Sequence, residues 1–194
     1  DYGSTKGVIS VYDNFGWHKI DDGYRQGASP QTSYFNSKDV VAGVSAWQTV
    51  QFFEGNHTTF GFDYQRIMGR TFYTGKESGE ELPSNPMTCA DRTFNDLAGY
   101  VDFRQDIGAR VTLDAALRYD HHSQVGGEWV PQGGVAYRPI ANGELKATVS
   151  KGYRVPTLKE MFLYKTRNDA LRPERLMNYE LAWQHRLLEG RLRY

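Results

Sequence analysis

The chain has 194 residues, and its 23 basic and 23 acidic side chains leave no net charge that would select nucleic acid or an anionic surface. Its mean hydropathy is −0.64, although 14% of the residues are aromatic. Such a composition is natural for a β-barrel with a polar lumen, wet loops and aromatic girdles. The sequence contains no run of 18 or more apolar residues, so it predicts no transmembrane helix. The single cysteine excludes an internal disulfide.

Alternation of apolar and polar residues predicts a series of long strands. In 110–122, for example, Val111, Leu113 and Leu117 fall on one face, opposite Asp114 and Arg118. Several segments exceed the ~9–11 residues that a tilted strand needs to cross a bilayer. In chain order, the predicted strands are 7–20, 37–52, 58–74, 94–107, 110–122, 128–138, 144–154 and 177–186, with a further one beginning at 191.

The connections between these strands alternate in length. Segments 21–36, 75–93 and 156–176 are long, whereas 53–57, 108–109, 140–143 and 188–190 are short and 123–127 is intermediate. Every second connection of an up-and-down meander lies at the same end, so one end carries tight turns and the other carries long loops. The sequence therefore predicts an all-β, antiparallel up-and-down meander that forms part of a transmembrane barrel.

Two segments carry a more specific signal. GYRVPTLKEMF (152–162) and LRPERLMNYELAW (171–183) resemble, in order and spacing, the late barrel strands of TonB-dependent outer-membrane receptors. We expect structural roles for the matching positions, with Pro156 ending a strand and the Arg and Glu side chains forming pairs. These positions are Gly152, Tyr153, Arg154, Pro156, Glu160, Leu171, Pro173, Glu174, Arg175, Asn178, Tyr179 and Glu180.

The resemblance implies a 22-stranded barrel with a plugged lumen. Residues 1–194 would supply about eight or nine strands, without the plug, as an internal section of a longer receptor. The implied function is energised import of a ferric siderophore, haem, cobalamin or another metal complex across the outer membrane of a Gram-negative cell. The implied partners are outer-membrane lipid, the receptor's own plug domain, the TonB complex and a small metal chelate. No resident cofactor and no nucleic acid are expected.

Six residues are candidates for ligand contact. Arg118, Asp120 and His122 share the polar face of one predicted strand, whereas Tyr73, Tyr164 and Arg167 lie on the long-loop side. The alternatives are a solvated or salt-bridged wall for the charged residues and an aromatic membrane belt for the tyrosines.

A soft-metal site is a weaker hypothesis. Met87 and Cys89 offer a thioether and a thiol that suit Cu(I). The loop contains no His and only one cysteine, so adaptable packing of both side chains is the favoured explanation. The sequence contains no Gly-x-Ser-x-Gly, no His-Glu-x-x-His and no phosphate-cradling glycine loop, so we predict no enzyme. The remaining alternatives are a passive porin or outer-membrane enzyme barrel, and a soluble all-β ligand-binding module.

Overall fold

The computed structural model describes residues 5–23, 30–187 and 192–193. Within these ranges lie nine strands and one five-residue helix, and no helix there is both long and apolar enough to cross a membrane. The predicted strands are confirmed, although β2 begins earlier than expected, and the helix was not foreseen. The elements are β1 Thr5–Ile20, β2 Ser33–Val50, β3 Asn56–Gly75, β4 Asp91–Ile107, β5 Val111–His122, β6 Gly126–Ile140, β7 Gly143–Arg154, α1 Leu158–Phe162, β8 Glu174–Leu187 and β9 Leu192–Arg193.

The strands form one sheet in chain order, and each is antiparallel to its neighbours. Connections 76–90, 123–125 and 155–173 lie at one end, together with the end of β1 and the start of β2, whereas the tight turns before β3, β5 and β7 lie at the other. Residues 24–29 of the first connection fall outside the described residues. The predicted sorting of long and short connections is confirmed. The predicted turn 188–190 falls outside the described residues.

The two faces of the sheet have opposite chemistry. The outer face carries apolar side chains that remain exposed: Leu113 is 41%, Leu117 is 42% and Leu181 is 74% accessible. The inner face carries polar side chains, among which His122 and Glu128 are buried. No second layer of described residues packs on the apolar row, which is the arrangement expected of strands that face hydrocarbon on one side and water on the other.

Aromatic rings cover glycines on neighbouring strands. A Cβ added at Gly61 would overlap the ring of Tyr100, and one at Gly143 would lie 2.6 Å from the ring of Trp183. Both pairs lie on adjacent strands, the first on the inner face and the second on the outer face. Glycine thus provides the space into which a large ring packs flat against the sheet, a known device in curved sheets.

Candidate ligand-binding wall and loops

An ion-pair network ties three strands together on the inner face. The guanidinium of Arg118 donates to Asp63 at 2.5 Å and to both carboxylate oxygens of Asp120 at 2.9 Å. Asp63 also accepts a 2.6 Å hydrogen bond from the hydroxyl of Ser45. Because one arginine serves two carboxylates, the network retains negative charge while its hydrogen bonds join β2, β3 and β5.

His122 lies next to this network. Its side chain is 5% exposed, its Nε2 is 3.5 Å from Asp96, and its Nδ1 accepts a hydrogen bond from the backbone N–H of Gln124. The ring also lies against Phe94, with 5.1 Å between centroids. The Gln124 contact requires a lone pair on Nδ1, so the proton of a neutral imidazole faces Asp96.

The Arg118 ion-pair network and His122 line a single cavity of about 380 Å³. Its walls include Tyr12 from β1, Asp63 from β3, Asp96 from β4, Arg118 from β5 and Tyr153 from β7. Side chains from strands so far apart in the sheet can share one cavity only if the sheet curves around it. The sequence-predicted trio of Arg118, Asp120 and His122 therefore meets inside a concave wall.

The sequence analysis did not identify Glu128 as a buried carboxylate. Glu128 is 7% exposed and is bound by Lys151 and, at 2.6 Å, by Arg175. Alternation places Glu128 on a polar face, but its partners lie 23 and 47 residues further along the chain. Only the packing of β6, β7 and β8 identifies them. Arg175, a signature position, thus satisfies a buried carboxylate.

Another signature residue, Arg154, joins the two ends of the β7–β8 connection. Its guanidinium donates to both carboxylate oxygens of Glu160 at 3.1 and 3.2 Å and to both of Glu174 at 3.1 and 2.9 Å. Two parallel N–H···O bonds to each carboxylate fix the geometry more strictly than a point charge would. Pro156, which follows the end of β7, is buried beside this clamp.

Glu160 also starts the helix. Its carboxylate accepts from the backbone N–H of Thr157 at 2.7 Å, and the Thr157 hydroxyl accepts from the Glu160 N–H, which completes a capping box. The hydrogen bonds from Arg154, and then those from Thr157, lower the pKa of Glu160 to about 2. The carboxylate is therefore ionised throughout the physiological range.

The helix folds onto the inner face of the sheet. Met161 and Leu163 are 1% and 8% exposed, the ring of Phe162 lies 5.9 Å from that of Phe94, and Leu158 occupies the space above Gly69. A separate contact joins the β7–β8 loop to the 76–90 loop, because the N–H of Tyr164 donates to the carbonyl of Met87 at 2.6 Å. The β7–β8 loop is thereby packed against β3 and β4, across the concave side.

A cleft of about 730 Å³ lies between the 76–90 loop and the β7–β8 loop, and we call it the outer cleft because it lies at the long-loop end. Its size is typical of small-molecule sites. Arg70, Arg92 and Arg167 line it, together with Phe162. Arg70 is engaged by Glu81 at 2.7 Å and by Asp91 at 3.7 Å. Arg92 instead stacks over Phe162 at 4.8 Å, and within the described ranges neither Arg92 nor Arg167 forms an ion pair with a carboxylate.

The other predicted residues are dispersed. Tyr73 packs edge-on against Phe35 at 5.4 Å and lines neither cavity. Tyr164 lies outside the outer cleft, whereas Arg167 and Cys89 line it. Of the remaining signature residues, Gly152 and Pro173 are half-buried, whereas four on β8 or just before it are exposed: Leu171, Asn178, Tyr179 and Glu180. Among the described residues, no group of three His, Cys, Asp or Glu side chains could hold a metal ion.

Comparison with known proteins agrees with this architecture. The model of the TonB dependent receptor-like β-barrel family matches residues 2–194. A curated relative, the vitamin B12 transporter BtuB of Vibrio vulnificus (strain YJ016), is 24% identical over 181 residues, which is 92% of this chain and 26% of the relative. The chain thus spans about a quarter of that protein's length.

Solved structures share the fold at low sequence identity. The copper transporter OprC superposes with a TM-score of 0.70 at 15% identity, over 92% of this chain and 33% of that one. The siderophore receptor PirA from Acinetobacter baumannii gives 0.66 at 15% identity, over 94% and 30%. A third neighbour, FpvAI in complex with pyocin S2, gives 0.70 at 13% identity, over 97% and 29%.

Proposed function

Because this chain belongs to the TonB-dependent receptor β-barrel family, we propose that it is an internal section of the barrel of a longer outer-membrane receptor. The parent receptor captures a scarce metal complex at its outer loops and imports it when an inner-membrane complex pulls on a plug in the lumen. The chain spans only 26% of its curated relative and about a third of its structural neighbours, which supports its reading as a section.

The observation that supports this proposal is a sheet with an apolar outer face and a polar inner face, whose long loops fold onto the inner side. Exposed Leu113 and Leu117 suit hydrocarbon, and the ion pair of Arg118 with Asp63 suits a wet lumen. The loops that bear α1 and residues 76–90 enclose the outer cleft on the same side as that lumen. A ligand held in the cleft would therefore sit above the path through the barrel.

The lining of the cleft supports the proposed ligand class. The relatives are named for vitamin B12, copper and siderophores, and we propose a ferric siderophore, haem, cobalamin or another metal complex as the cargo. Arg92 and Arg167 offer guanidinium groups free of carboxylate partners, and Phe162 offers an aromatic face. Although Asp169 also lines the cleft, the two guanidinium groups and the aromatic ring support a ligand whose organic shell carries oxyanions.

The alternatives have less support. A soluble binding module would cover its apolar face with a second layer, whereas Leu117, Tyr179 and Leu181 remain exposed. The named relatives are transporters and receptors rather than enzymes. A passive porin would share the wall, so it is distinguished by energetics: diffusion through a pore does not depend on the inner-membrane proton gradient.

Uptake by cells provides the test. A strain deleted for the gene that encodes this chain is compared with its parent for accumulation of a ferric catecholate chelate, a ferric hydroxamate chelate, haemin and cyanocobalamin. We expect at least one compound to accumulate only with the intact gene and only while the proton gradient is maintained. Gene-dependent accumulation that survives a protonophore would support the porin instead.

The outer cleft is tested in the same strain with the compound that depends on the gene. Arg92→Ala and Arg167→Ala each remove one uncompensated guanidinium, and each should weaken binding about 10-fold, within the range for charged hydrogen bonds. Arg172→Ala is the matched control, because Arg172 belongs to the same loop as Arg167 and does not line the cleft. Equal affinity of all three variants would locate the ligand elsewhere.

A further inference from the structure

A second cavity lies beside helix α1, next to the outer cleft. Its volume is about 320 Å³, and residues of β2, β3 and the β7–β8 loop line it. Four side chains supply most of its apolar surface, and we call it the apolar pocket: Phe35, Ile67, Leu158 and Leu163. Its chemistry thus differs from that of the outer cleft, where Arg92 and Arg167 present guanidinium groups.

The apolar pocket and the outer cleft share part of their walls. Arg70 and Thr71, which are consecutive on β3, line both cavities. Helix α1 also contributes to both, since Phe162 lines the cleft and Leu158 lines the pocket. A molecule bound in the cleft is therefore within reach of the pocket, and one ligand can contact both.

The lining of the apolar pocket suits a group without polar atoms. Of the charged residues that line it, Arg70 is already bound by carboxylates, and three are exposed to solvent: Lys38, Asp39 and Lys159. The apolar side chains are less exposed, because Leu163 is 8% accessible and the other three are half-buried. Covering such side chains with an apolar group is favourable, whereas a polar group without hydrogen-bond partners would be destabilised there.

The lining also favours an alkyl chain over an aromatic ring. Two rings line the pocket, and each already has a partner. Phe35 packs edge-on against Tyr73 at 5.4 Å, and the ring of Tyr164 lies 5.5 Å from the ammonium group of Lys159. The other apolar side chains, Ile67 among them, provide dispersion contacts but no ring face for stacking.

We propose that the cargo carries an alkyl tail, which the apolar pocket binds while oxyanions of the cargo's head contact Arg92 and Arg167 in the outer cleft. This inference rests on the proposed function, because it assigns a second part of the same ligand. It narrows the cargo to amphiphilic metal chelates. A chelate without a tail would occupy the outer cleft alone and bind more weakly.

The test uses the full-length receptor that contains this chain, held in amphipol, and a series of n-alkylphosphonates from methyl to octyl. The phosphonate supplies the oxyanions of the head, and only the length of the alkyl chain varies. In isothermal titration calorimetry, each methylene group that enters the pocket should tighten binding about fourfold, the effect of burying one methylene. The gain should stop when the chain fills the pocket.

Variants separate the head from the tail. Ile67→Asn should abolish the dependence on chain length, so that octylphosphonate binds no more tightly than methylphosphonate, and Leu158→Asn provides the same test from the helix. Val41→Asn is the matched control, because Val41 is the direct cross-strand partner of Ile67, is also half-buried and does not line the pocket. Arg92→Ala should instead weaken binding of every phosphonate by the same factor.

Several results would overturn the inference: no binding of any phosphonate, an affinity independent of chain length in the wild type, or an unchanged dependence in Ile67→Asn and Leu158→Asn. An equal loss of the dependence in Val41→Asn would also count against this pocket. Gene-dependent uptake by a receptor that shows no chain-length dependence would contradict this inference and leave the transport proposal intact. Chain-length-dependent binding without gene-dependent uptake of any compound would contradict the transport proposal alone.

Discussion

The outer and inner faces of the sheet are formed by alternate residues of the same strands, yet they are stabilised in opposite ways. On β5, Leu117 faces outward and is 42% exposed, whereas Arg118, the next residue, is bound by two carboxylates on the inner face. The two faces of the sheet therefore suit two different environments, one apolar and one aqueous. In the proposed membrane setting, the outer face would be stabilised by hydrocarbon, and the inner face by water and cross-strand ion pairs.

The largest effect is expected from a charge on the outer face. Leu117→Arg in the full-length receptor should reduce the stability of the barrel in lipid vesicles by about 2–4 kcal/mol, the cost of an arginine in the bilayer interior. Ala116→Arg is the control, because Ala116 lies on the inner face opposite Asp102. Stability is measured from urea unfolding in vesicles. Equal losses in both variants would show that the two faces meet the same environment.

The next effect concerns the aromatic–glycine pairs. Gly61→Ala should destabilise the receptor by about 1–3 kcal/mol, because the new methyl group displaces the ring of Tyr100. Gly99→Ala on the adjacent strand β4 is the control, since a Cβ there meets no atom within 4 Å. Thermal unfolding followed by circular dichroism compares the two. A control as unstable as Gly61→Ala would attribute the loss to glycine as such rather than to the ring.

A smaller effect is expected from the inner ion pairs. Arg118→Met leaves Asp63 and Asp120 without their shared partner and should cost about 1 kcal/mol, since these side chains are only partly buried. Arg104→Met removes a longer contact of 3.7 Å to Asp106 and should change stability little. The same urea titration applies. A loss at Arg104 as large as that at Arg118 would argue against a specific network.

The smallest effect involves the pH dependence of the β7–β8 loop. The pKa of Glu160 falls from its ordinary 4.5 to about 2, so its contacts with Arg154 and Thr157 contribute fully above pH 4.5 and are lost as pH falls through about 2. Hydrogen exchange of residues 157–163, corrected for intrinsic rates, should show constant protection from pH 7 down to about 4.5 and a decrease below it.

Glu160→Gln separates this contact from general acid unfolding. The variant should lack the acid-dependent step and show lower protection at neutral pH, because its amide cannot replace the charge-assisted bonds to Arg154. Glu77→Gln, in the exposed 76–90 loop, is the matched control. A step that persists in Glu160→Gln would assign the transition to another group.

Much of the wall could be predicted because strand periodicity is local. Alternation in 110–122 separated Leu117 from Arg118 correctly: the first is exposed on the outer face and the second forms ion pairs on the inner face. The signature segments also placed Arg154 and Glu160 around one loop. Their pairing, the capping box and helix α1 were not predicted in detail, since a five-residue helix leaves no periodic signal.

The strands, the sorting of the loops and the chemistry of each face could all be predicted from the sequence, because each is encoded by residues close together in the chain. Strand register and loop packing were needed to identify the distant partners: Glu128 with Arg175, Arg118 with Asp63, and the backbone hydrogen bond from Tyr164 to Met87 that joins two loops. Such contacts depend on strand register and sheet curvature, which bring together residues that are far apart in the chain.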